Sequence, residues 1–92
     1  MTLIDMVKDL GSLDREMTIY AAEPWTENSK AITVPDHASG RLPPEAEQLG
    51  LTYFLEVFIA REVLDDWTES LGEDSTLQEQ CVRLIKYAID DA

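Results

Sequence analysis

Leu51-Thr52-Tyr53-Phe54-Leu55-Glu56-Val57-Phe58-Ile59-Ala60-Arg61-Glu62-Val63-Leu64-Asp65-Asp66-Trp67 is the stretch on which the fold turns. Leu51, Tyr53, Leu55 and Val57 alternate with Thr52, Phe54 and Glu56 as in a strand. Tyr53, Val57, Ala60, Leu64, Trp67 and Leu71 equally form one helical stripe. Periodicity does not separate the two for a short apolar run. Thr, Tyr, Phe and Val cluster before Phe58, and the helix formers Ala60, Arg61, Glu62 and Leu64 follow it. That order favours a strand at 51–57 running into a helix at 58–71, while a continuous helix over 51–71 stays open.

Working outward toward the N-terminus, Pro44 can open a short helix to Leu49 with Gly50 as its stop. Before it, 35–44 holds three prolines and a glycine and reads as a surface loop. Met17–Ala22 and Lys30–Val34 are rich in β-branched and aromatic residues and read as strands joined by the loop 23–29. Leu3, Met6, Val7 and Leu10 at helical spacing, between Thr2 as N-cap and Gly11, give a short first helix. Toward the C-terminus, Ser75 with Gln78 suggests a capping box for a helix over 76–90 whose apolar face is Leu77, Cys81, Leu84, Ile85 and Ala88. The order α-β-β-α-β-α-α predicts an α+β fold, a small sheet of three strands covered by helices, in a single domain spanning 1–92.

Charge bounds the partners. Nineteen acidic residues against seven basic ones leave a formal charge of −12. Such a field repels nucleic-acid phosphates and anionic membranes and favours a basic protein as partner, although acidity also serves solubility alone. The N-terminus has no basic region followed by an apolar run, and no apolar stretch is long enough to span a bilayer, so a cytoplasmic location is expected.

Residues that carry chemistry are scarce. Cys81 and His37 are the lone thiol and imidazole, so a Cys–His nucleophile would need this pair, and Cys81 falls on the apolar face of the last helix. A single Cys and a single His do not furnish zinc ligands, no calcium-loop run occurs, and the isolated glycines make no phosphate loop. Asp65 with Asp66 and Asp90 with Asp91 lack the contrasting environments that general acid–base pairs require. No cofactor and no enzymatic activity are expected.

One constellation stands above this background. At about 100° per residue, Glu62, Asp66, Glu69 and Glu73 fall within about 60° of one another, flanked by Asp65 and nearly opposite Ala60, Leu64, Trp67 and Leu71. From Glu62 to Asp74 no basic residue relieves the repulsion. These acids read either as a solvated face or as a docking surface. Trp25, between Glu23 and Glu27, reads either as folded onto the core or as an exposed anchor in the same interface.

The run Ile19-Tyr20, Trp25, Ala31-Ile32-Thr33-Val34, Pro44-Glu45-Ala46 and Gly50-Leu51-Thr52-Tyr53-Phe54-Leu55 resembles a family of small uncharacterised bacterial proteins, some encoded near toxin genes. The resemblance covers about residues 17–65. It implies a strand followed by a helix after Gly50, and an immunity role by association. Two readings follow: an acidic binding module, such as an immunity protein or antitoxin covering a basic nuclease toxin, or a domain that self-associates through Val82, Ile85 and Ile89 of the last helix.

Overall fold

The computed structural model describes residues 1–35, 42–72 and 74–90. Its elements are α1 (Leu3–Lys8), a 3₁₀ turn (Leu10–Ser12), β1 (Met17–Ala21), β2 (Ala31–Pro35), α2 (Pro44–Leu49), β3 (Thr52–Glu56), α3 (Val57–Leu71) and α4 (Leu77–Asp90). This is the α+β order read from the sequence. The continuous helix over 51–71 is excluded, because Thr52–Glu56 pairs with β1.

The sheet is antiparallel throughout, in the order β2-β1-β3. As the central strand, β1 is covered on both faces. Ile19 and Ala21 join the main core with α1, α3 and α4, whereas Tyr20 joins a smaller cluster with Ala46 of α2 and Leu51. Alternation alone would put Leu51, Tyr53, Leu55 and Val57 on one side. The structure corrects this: the β1–β3 register slips between Ile19 and Tyr20, so that Ile19 faces Leu55 while Tyr20 faces Tyr53. Phe54 is the extra residue of a β-bulge, and the local bend lets two successive side chains, Phe54 (2% exposed) and Leu55 (0%), both turn inward while Tyr53 stays 43% exposed.

Helix ends follow local chemistry. Thr2 and Asp5 form a reciprocal capping box at α1. Pro44 occupies the first turn of α2, and Gly50 and Gly72 close α2 and α3 in the left-handed conformation, with φ of 70° and 72°. At α4 the expected Ser75–Gln78 box is displaced by one residue. The Glu79 N–H donates to Thr76 Oγ1 (3.1 Å) and the Thr76 N–H donates to Glu79 Oε1 (2.9 Å). Gln78 instead reaches Glu27 Oε1 (3.2 Å), and Ser75 accepts from Gln80. Arg61 ties the N-terminal segment to α3: its Nε and Nη2 donate to Leu10 O at 3.0 and 2.9 Å, and Nη2 also reaches Leu13 O. These are charge-assisted bonds to the carbonyls of the first residue of the 3₁₀ turn and of the residue that follows it.

Two outcomes test these local arguments. Thr76→Ala is expected to destabilise by about 1 kcal/mol, or roughly 4–8 °C in a domain of this size, with Ser75→Ala costing less than Thr76→Ala; thermal melts compare them, and the reverse order contradicts the assigned cap. The Thr76 backbone N–H holds the Glu79 carboxyl below its ordinary pKa. Its contribution is therefore complete above the unfolded carboxylate range and is lost as pH falls through the lower folded pKa. Glu79→Gln is accordingly expected to flatten the acid side of the stability–pH curve, measured by urea unfolding from neutral pH downward.

Candidate functional site

α3 is oriented from its first residue. Val57 and Ala60 are buried, and Ile59, Val63 and Leu64 pack against the main core. Helical geometry then turns Glu62, Asp65, Asp66 and Glu69 outward, and all four are exposed. Glu73 lies outside the described residues. None of the four makes an ion pair or hydrogen bond among the described residues.

None of the described cations forms an ion pair with this face. Arg61 is bound to main-chain carbonyls, and Arg15 stacks over the Phe58 ring at 5.9 Å. Arg83 and Lys86 belong to α4, where they line a hollow of about 490 Å³ with Trp67, Gln78, Glu79 and Val82. A second hollow of about 270 Å³ shares Trp67 and Arg83 and adds Val63, Asp66, Ser70 and Tyr87. Arg83 Nε is sealed from solvent and has no acceptor. Sequence reading missed this groove. It assigned Trp67 wholly to the apolar stripe, whereas the side chain is half-buried and forms a wall shared by both hollows, and Leu71 at the end of that stripe is exposed. Arg83 and Lys86 lie at (i, i+3) on the flank of the α4 apolar face, a signal that points to a partner only once the neighbouring helix is known.

Trp25 is half-buried against the main core. Its Nε1–H donates to Ala21 O (3.3 Å), and its ring meets Phe54 edge-on at 5.0 Å. Its polar atom is bonded and its ring is packed, so the side chain contributes to the fold while part of its surface stays open. Thus the structure gathers Glu62, Asp65, Asp66 and Glu69 on one face and sets Trp25 apart as a core-packed residue.

On α4, Val82 (55% exposed) and Ile89 (64%) face solvent, whereas Ile85 packs against the core. Cys81 is buried beside Glu27, and burial, aided by that carboxylate, pushes its thiol up to about 11. His37 and Asp91 lie outside the described residues. Among the described residues no three His, Cys, Asp or Glu side chains are grouped to hold a metal ion, and no helix is long and apolar enough to cross a membrane.

Because the thiolate is the reactive form and Cys81 is covered, a disulfide reagent is expected to label the native protein only at its opening rate through pH 9, and to label it at once in urea. Rapid native labelling at neutral pH would contradict the burial. No protein-family model, no curated protein and no solved structure matches this chain.

Proposed function

We propose that the protein is a non-enzymatic binding module whose α3 face docks a basic protein. The observation that carries this is the outward row Glu62, Asp65, Asp66 and Glu69, which no cation of the chain reaches among the described residues. Like charges at helical neighbour spacing repel by a few tenths of a kcal/mol per pair, roughly 0.2–0.5, so a cationic partner relieves a cost that the free protein carries. In its most concrete form the module is a cytoplasmic immunity protein or antitoxin that covers the basic surface of a nuclease toxin, a reading to which the family resemblance lends support. Charge complementarity of this kind acts mainly on the association rate.

A second reading has its own observation. Val82 and Ile89 are more than half exposed and lie seven residues apart on α4, the spacing of a two-turn helix contact. This supports self-association as the alternative role.

The test compares wild type with the variant Glu62→Gln/Asp65→Asn/Asp66→Asn/Glu69→Gln. The variant is expected to melt at the same temperature or higher, since like-charge repulsion is removed. Partners captured from native lysate at low salt are then purified, and stopped-flow mixing is expected to show association slowed by about ten-fold or more at low salt with a flattened salt dependence. An unchanged low-salt rate sinks the docking role of α3. Loss of a dimer on Val82→Glu/Ile89→Glu in light scattering would transfer the assignment to self-association.

A further inference from the structure

The groove between α3 and α4 holds an arrangement that the acid face does not use. Arg83 stands at the boundary of the two hollows, with Lys86 three residues on and Trp67 facing it from α3. In a chain with 19 carboxylates and 7 cations, Arg83 has no ion pair and no hydrogen bond among the described residues, and its Nε is covered without an acceptor. An unpaired guanidinium is costly, and nothing among the described residues offsets it; with Nε covered, the terminal nitrogens are the groups that a ligand in the hollow would meet.

The geometry points to a binding site for a small monocarboxylic acid with an apolar body. Its carboxylate would be received by Arg83 and Lys86, and its hydrocarbon or aromatic portion would lie against Trp67 and Val82. The hollow of about 490 Å³ is within the range of small-molecule sites, and its mixture of a few convergent polar groups with apolar walls is what such sites share. The charge of the lining selects the ligand. Lys86, Arg83 and Glu79 together carry one net positive charge in the larger hollow, and Asp66 balances Arg83 in the smaller one. A single carboxylate is matched, whereas a dianionic phosphate meets Glu79 or Asp66 in addition to the negative field of the whole protein. Planar, forked donation by arginine suits a carboxylate in particular. The site shares only Asp66 with the α3 row, at the smaller hollow, and the larger hollow that would receive the ligand is lined by none of Glu62, Asp65, Asp66 and Glu69.

The chain has two tryptophans, which serve as reporter and reference. In nitrogen–proton correlation spectra of the full chain titrated with phenylbutyrate, the Trp67 indole signal is expected to move saturably. The Trp25 signal, whose N–H is bonded to Ala21 O, is expected to stay. Phenylbutanol, the neutral counterpart, is expected to bind at least about ten-fold more weakly, as loss of a charged hydrogen-bonding partner implies. Arg83→Met is expected to weaken phenylbutyrate by a similar factor, and inorganic phosphate to leave Trp67 unmoved. Absence of a saturable shift, equal binding of the alcohol by wild type, or unchanged affinity in Arg83→Met overturns the assignment. A Trp67 signal insensitive to phenylbutyrate but moving with protein concentration also overturns it, giving the hollow to a second copy of the chain.

Discussion

The absence of any loop between β3 and α3 is the constraint from which the rest follows. Glu56 ends the strand and Val57 begins the helix, so the register of β3 on β1 fixes the rotation of α3 about its own axis. The bulge at Phe54 turns Phe54 and Leu55 inward together, Val57 and Ala60 continue that burial into the helix, and the residues diametrically opposite must face water. Those residues are Glu62, Asp66 and Glu69, with Asp65 beside them. The acid face is thus a consequence of strand pairing several residues upstream, and among the described residues none of these four side chains makes a hydrogen bond or ion pair.

Where the cations go matters as much as where the acids go. Arg61 is buried enough to bind the carbonyls of Leu10 and Leu13, closing the turn between α1 and β1 onto α3. Arg15 lies on Phe58, and Arg83 with Lys86 faces the α3–α4 groove. These four basic side chains therefore organise the fold or the groove, and none of them forms an ion pair with the outer side of α3. The same distribution gives the protein two chemically opposite surfaces on adjacent helices, an exposed carboxylate row and a cation-bearing hollow walled by Trp67.

Much of this was legible from residue types. β-Branched and aromatic clustering located all three strands, Pro44 and Gly50 delimited α2 because of their backbone preferences, and the 3.6-residue spacing put the acids and the core on opposite sides of α3. The bulge was not legible, since a two-residue period has no place for an inserted residue and the slip depends on pairing with β1. The cap of α4 was misplaced by one position because Ser75-Thr76 and Gln78-Glu79 offer two overlapping boxes, and contact between Gln78 and Glu27, distant in sequence, removes one of them. Trp67 and Arg83 are 16 positions apart and meet only through the packing of α3 on α4, so nothing local in either helix announced the groove.

The central claim is that the acid face carries unrelieved repulsion in the free protein, available for relief by a cationic partner. The melting temperature of the wild-type chain between about 0.01 and 0.15 M ionic strength tests it most directly, since the screening length falls over that range from about 30 to about 8 Å. Stability is expected to rise with salt, and to rise less once the four α3 carboxylates are neutralised. A melting temperature that falls with salt, or a salt response that neutralisation leaves unchanged, would contradict the account.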